Sequence, residues 1–215
     1  MGRPRAFATD VVLDAAKDAF WGRGYEATSL ADLEVVTGLS RSSLYQAFGS
    51  KRGLFEAALV RYREQQVDPV LVALEGSNAA LAELQQYFST LAAMFRADPK
   101  LAVRGCLVVN TMSELAGRDD TARAQAAAYH QRITAALANG LRGAAEQQDA
   151  EESPTSDNPR TLGEQGPDVE HRARVLCSAV IGALVTAHFD PEAAATLCEQ
   201  LSADVSARPA TAAVA

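Results

Sequence analysis

TSLADLEVVTGLSRSSLYQAFGSKRGLF, Thr28 to Phe55, decides the reading of this chain. It reads as two short helices joined by a tight turn and followed at once by a third helix start, which is the grammar of a helix-turn-helix DNA reader. Thr28 or Ser29 is placed to cap an apolar repeat of Leu30, Leu33 and Val36, and Ser29-x-x-Asp32 has capping-box spacing with Asp in place of Glu. Thr37-Gly38-Leu39-Ser40 then breaks the helix: Gly38 supplies left-handed backbone for a sharp turn, and Ser40 caps the next segment. In that segment Leu44, Ala47 and Phe48 share one face, while Ser42 and Gln46 point the opposite way, with Ser43 and Tyr45 beside them and Arg41 at the N-terminal edge. The outward set is short, polar and rich in hydrogen-bonding groups, as reading base edges in a major groove requires. Gly49-Ser50 ends the helix, and Ser50 caps a following one whose buried stripe is Leu54, Phe55, Ala58, Leu59 and Tyr62. Lys51 and Arg52 in its first turn oppose the helix dipole, but a helix N-terminus beside Lys51 makes a phosphate site.

Upstream, Thr9 is placed to cap a first helix running to about Trp21, with Val12, Ala15, Ala16, Ala19 and Phe20 on its apolar face and Gly22 and Gly24 ending it. Gly2-Arg3-Pro4-Arg5 before it reads as a short mobile basic arm for a groove or for phosphates. Arg3-Pro4-Arg5, Ala19-Phe20-x-x-x-Gly24-Tyr25-x-x-Thr28-Ser29-Leu30, Gly38-Leu39-Ser40 and Leu44-Tyr45-x-x-Phe48-x-Ser50-Lys51-x-x-Leu54 together resemble the DNA-binding domain of the TetR family of transcriptional regulators. The resemblance covers the first quarter to third of the chain; the remainder is similar to the family only in length and helical character. It implies that Tyr45 and Lys51 hold phosphates, that Thr28 adds a contact to the DNA backbone, and that Arg41, Ser42, Ser43 and Gln46 read bases. Arg3, Arg5, Ser29 and Ser40 complete the candidate DNA set. The expected fold is all-α: a three-helix DNA-binding domain in residues 1–52, a larger helical effector-binding and dimerisation domain in 53–207, and a tail in 208–215.

The chain has 215 residues, 48% of them hydrophobic, enough for one or two domains with a sizeable core. A net charge of −7 argues against a generally sticky nucleic-acid binder. Residues 1–52 nevertheless hold seven Lys/Arg against six Asp/Glu, while the rest of the chain holds thirteen against twenty-one. Focused basic residues in an acidic protein suit specific binding, and Asp10, Asp14 and Asp18 form an outward stripe on the first helix, away from the DNA face. The N-terminus shows no secretory pattern, the apolar run Val175 to Phe189 is too short to make a good membrane span, and three cysteines without tight spacing suggest reduced thiols. A cytoplasmic protein with no membrane partner is expected.

After Tyr62 the pattern stays helical. Breaks are expected at Asp68-Pro69 and at Asp149 to Pro167, the latter an exposed acidic loop, and Asp98-Pro99 reads as a helix start with Pro99 in the first turn. The helix through Val175 to Phe189 is apolar nearly all round and is expected to be buried on every side, with Val175, Ala179, Gly182, Ala183 and Thr186 in a homodimer interface. Dimerisation also lets two short reading helices address a palindromic operator. The family resemblance implies a pocket for a small-molecule effector, with Phe88, Phe95, Cys106, Asn110, Met112, Glu114, Tyr129, His130 and Phe189 as the side chains of the type that line one. Cys106, in Arg104-Gly105-Cys106-Leu107, carries an alternative: a redox or electrophile sensor on the same scaffold. No cofactor is implied, and His130, His171, His188 and the cysteines lack metal-ligand spacing. An enzyme carrying a structural helix-turn-helix is the rival of another class. Against it, the sequence shows no Gly-rich phosphate loop, nucleophile elbow or metal motif.

Overall fold

The computed structural model describes residues 3–152 and 166–206, and their regular structure is all helical. In order these are α1 (Arg3–Arg23), α2 (Leu30–Thr37), α3 (Arg41–Phe48), α4 (Lys51–Tyr62), a π-helical turn (Arg63–Val67), α5 (Asp68–Glu75), α6 (Leu81–Ala97), α7 (Pro99–Ala102), α8 (Leu107–Leu115), α9 (Asp120–Glu152), α10 (Gly166–Thr186) and α11 (Pro191–Ser206). They divide into two compact units: a head of Met1–Pro69 with Arg104–Ala127, and a second unit of Val70–Val103 with Ala128–Ala215.

The head is built on an aromatic cluster. Phe20 and Phe55 are essentially without exposure and meet edge to face at 5.0 Å; Tyr25 lies 4.8 Å from Phe55 and 6.1 Å from Phe20. Ala16, Leu33, Leu54 and Ala58 close the core around it. α1 is clamped to α4 by charge. Arg61 donates to both oxygens of Asp14 at 2.7 Å, and Lys17 and Gln65 each donate to Asp14 Oδ1 at 3.1 Å. The return segment is fastened to α1 through Trp21. Its indole N–H donates to the carbonyls of Arg104 (3.1 Å) and Gly105 (3.0 Å), and the Arg104 guanidinium lies 4.2 Å from its ring centre.

In the second unit α6 packs along α11 and α11 along α10, with Leu84, Phe88, Val180, Ala194 and Cys198 in the core. Arg96 of α6 pairs with Glu192 at 2.7 Å and with Glu199, both on α11. On α9, Gly143 lies against the chain just before α6: a Cβ there would stand 2.0 Å from the Ala79 carbonyl oxygen.

Several expectations are corrected. α1 starts at Arg3, so the basic arm is helical and Thr9 is interior rather than a cap; Pro4 is tolerated because the first helical turn has no intrahelical use for its missing N–H. Asp68-Pro69 does not end the helix. The chain widens into the π turn and resumes with Pro69 in the first turn of α5, where the missing N–H again matters least. Asp149–Glu152 continue α9 and Gly166 and Pro167 open α10, so those parts of the expected loop are helical; residues 153–165, and the tail 208–215, lie outside the described residues. Val36 is 41% exposed and Ala47 is exposed, because helices as short as α2 and α3 each cover the core with little more than one side chain, Leu33 and Leu44. α10 is not buried on every side within its own chain. Ala173, Cys177, Val180 and Ala183 face inward, while Val175 is 54% and Val185 44% exposed.

Two outcomes follow. Gly143→Ala should lower stability to urea by about 1–3 kcal/mol through overpacking, although Gly→Ala in an open helix gains about 1 kcal/mol; a gain would contradict the close approach. The hydrogen bonds from Arg61, then those from Lys17 and Gln65, hold the Asp14 carboxyl well below the usual carboxylate range. Its folded pKa is therefore the lower one, and its contribution is complete above the unfolded value of about 4 and lost as pH falls through the folded one. Asp14→Asn should lower the unfolding midpoint at pH 7, and the deficit should shrink steadily below pH ~4. A deficit independent of pH would contradict the clamp.

Candidate nucleic-acid interface

Ser29 caps α2: its hydroxyl accepts the Asp32 N–H at 3.1 Å, and Asp32 accepts the Ser29 N–H at 2.9 Å, the reciprocal box expected from the spacing. Gly38, at φ 68°, turns the chain in the left-handed region. The Ser40 hydroxyl accepts the Ser43 N–H at 3.3 Å to cap α3, and Glu34 of α2 accepts the Arg41 N–H at 2.6 Å, tying the two helices across the turn. At the far end Gly49 takes φ 77°, and Ser50 caps α4 by accepting the Gly53 N–H at 3.0 Å. A Cβ on Gly53 would stand 2.1 Å from the Phe48 carbonyl oxygen, so only glycine lets α4 begin this close to the end of α3.

The helix so fixed buries Leu44 and exposes Arg41, Ser42, Tyr45 and Gln46, with Ser43 half-buried. Ser29 and Ser40 are also exposed, but their hydroxyls are engaged in caps. Lys51 stands next to this face. Its ammonium lies 4.4 Å from the centre of the Tyr25 ring and donates to the Glu26 carbonyl at 3.5 Å. Thr28 departs from its expected role: it is fully buried, and its hydroxyl donates to the Gly24 carbonyl at 2.6 Å, closing the α1–α2 turn rather than facing a phosphate. The side chains of Arg3 and Arg5 lie outside the described residues.

The effector candidates fall into different units. Cys106, Asn110, Met112 and Glu114 belong to the head; Phe88, Phe95, Tyr129, His130 and Phe189 belong to the second unit. Phe88 and Phe95 are core residues of α6, and Phe189 is 76% exposed. Asn110 donates to the Arg104 carbonyl at 2.8 Å, and Glu114 accepts two backbone N–H groups of the α1–α2 turn. Cys106 is 3% exposed at the start of α8. It adjoins Tyr62, whose phenol is pushed well above its usual pKa by burial and then by that thiol. Two clefts on the head, of about 390 and 460 Å³, are lined by none of the nine. Sequence reasoning missed the Tyr25 platform, and it placed Glu114 in a pocket. The contacts of both residues join positions far apart in the chain, which local periodicity does not report.

Among the described residues, no helix is long and apolar enough to cross a membrane. The family model for bacterial regulatory proteins of the tetR family matches residues 12–58, a span running from α1 into α4. The HTH-type transcriptional repressor ComR of Escherichia coli (strain K12) is 41% identical over 118 residues, covering 53% of this chain and 54% of that protein. The regulator YezE of Bacillus subtilis (strain 168) is 36% identical over 114 residues, covering 53% and 58%. The chain thus spans about half the length of these curated relatives. A cysteine-substituted form of the TetR family regulator CifR, solved with 26-base-pair operator DNA, superposes with a TM-score of 0.66 at 27% identity, over 90% of this chain and 94% of that one. The capped helix-turn-helix thus lies within the stretch that matches the tetR family model, and the fold is similar to that of the TetR family regulator CifR.

Proposed function

We propose that the chain is a sequence-specific, homodimeric, DNA-binding transcriptional regulator of the cytoplasm, a ligand-responsive repressor that acts by binding rather than by catalysis. The observation that carries this reading is the exposed polar face of α3. Arg41, Ser42, Tyr45 and Gln46 are presented on a helix capped at both ends, with Lys51 at its edge. Residues 1–52 hold the reading surface, and 53–207 carry effector binding and dimerisation. The relatives lend support: ComR is named a repressor, and CifR was solved on operator DNA.

The dimer contact is the outward face of α10. Val175, Val185 and Gly182 lie on it, and an ideal Cβ on Gly182 would meet nothing within 4 Å. This glycine answers no need of its own chain and leaves room for a partner helix. Ala179 and Thr186 are half-buried at its margin, while Ala183 packs inward and drops out of the interface. Two heads must meet half-sites about one helical turn, or a multiple of it, apart. An effector that binds better to another spacing of the heads therefore releases DNA by differential affinity alone.

A second reading keeps this head and places the trigger at Cys106. A group added to a sulfur 3% exposed beside Tyr62 must displace the start of α8. Cys106→Ser, with adduct mass measured in parallel, separates the readings, because it abolishes release by an oxidant or electrophile only if the thiol is the switch.

Selection of bound duplexes from a random pool should yield a palindrome. Tyr45→Ala and Lys51→Ala should weaken all duplexes alike, and Lys51→Ala should also lower the salt slope by ~1 per half-site. Gln46→Ala should instead relax preference at one position per half-site, by about 1–3 kcal/mol of discrimination. Equal losses on operator and random DNA for all three variants would contradict a base-reading role for α3.

A further inference from the structure

We propose that Glu114 is a positioning residue for phosphate binding: from α8 it fixes the α1–α2 turn against which the Lys51 ammonium is seated. The proposal rests on the reading of Lys51 as a phosphate ligand.

Glu114 Oε2 accepts the Tyr25 N–H at 2.9 Å and Oε1 accepts the Glu26 N–H at 2.7 Å, so one carboxylate holds two successive amides of the α1–α2 turn. These are charge-assisted bonds, stronger than amide–carbonyl ones. The turn is shaped to admit the carboxylate. Gly24 has φ 85°, and a Cβ on it would stand 3.0 Å from Glu114 Oε2. The buried Thr28 hydroxyl, bonded to the Gly24 carbonyl, closes the loop from its other end.

The same two residues make the seat of Lys51. The Tyr25 ring, packed against Phe20 and Phe55, lies under the ammonium, and the Glu26 carbonyl accepts from it. Both contacts that orient Lys51 therefore come from residues whose amides Glu114 grips. An ammonium released from this seat samples positions out of reach of a phosphate, so the contact, and the counterion release that goes with it, is made only part of the time. α8 thereby supports the DNA face directly, through a carboxylate 63 positions along the chain from Lys51.

The test measures log Kobs against log salt concentration for full-length wild type, Lys51→Ala, Glu114→Ala and Glu114→Gln on the selected operator duplex, at a temperature where circular dichroism shows each variant folded. Lys51→Ala should reduce the slope by ~1 per half-site. Glu114→Ala should reduce it by roughly half that or more. Glu114→Gln, which replaces one of the two accepting oxygens with an NH2 donor and removes the charge, should fall between wild type and Ala. The Gln variant also keeps the test open if the Ala variant does not fold. If Glu114 only stabilises the fold, both variants will melt earlier but keep the wild-type slope, and the proposal is overturned while the reading of Lys51 stands. If Lys51→Ala itself leaves the slope unchanged, the phosphate reading fails and the positioning role fails with it.

Discussion

An eight-residue helix does not hold itself together in water, because nucleation is costly and so few turns cannot offset it. α3 is such a helix, and everything proposed for this chain depends on its orientation. Its geometry is therefore set from outside: by Ser40 at one end, by the left-handed glycine at the other, by the Glu34 carboxylate on the Arg41 N–H, and by the burial of Leu44. Caps of this kind are worth about 1 kcal/mol each. They act on a helix that packs against α2 and α4, where Leu33, Leu54 and Phe55 are buried and Phe55 meets Phe20 and Tyr25 in the aromatic cluster.

That cluster explains why the head recruits residues from far along the chain. Three short helices and α1 make a small core, and small cores are marginal. The segment Arg104–Ala127 adds Leu107, Val108 and Leu115 to the buried set and fastens itself to the N-terminal part at Trp21 and at the α1–α2 turn. The acidic stripe on α1 belongs to the same construction. Asp10 and Asp14 are answered by Arg61 and Asp18 by Arg104, so these charges tie α1 to α4 and to the segment before α8.

The sequence was most legible where the physics is local. Ser29 with Asp32, Ser40 and Ser50 each act over three residues, and all three caps stand where the spacing puts them. Asp98-Pro99 opens a helix for the same reason. Legibility failed where a tertiary contact overrides a local preference. Pro69 reads as a stop until the π turn carries the helix past it, and Thr28 reads as a surface cap until burial turns its hydroxyl inward. The outward face of α10 was read only in part, since a pattern apolar all round does not say which side meets the chain's own core; Ala183 and Val185 settle that by opposite exposures. Glu114 was the hardest, because a carboxylate on an apolar helix resembles a pocket residue unless its two backbone donors, 88 and 89 positions away, are known.

Hydroxyl-radical footprinting of the chain on the duplex it selects tests the central claim most directly. A pair of α3 helices held by a two-fold dimer predicts two equal protected patches related by symmetry, their centres one helical turn or a whole multiple apart. A single patch, or protection spread evenly along the duplex, would show that the chain does not read DNA as a dimer and would contradict the account.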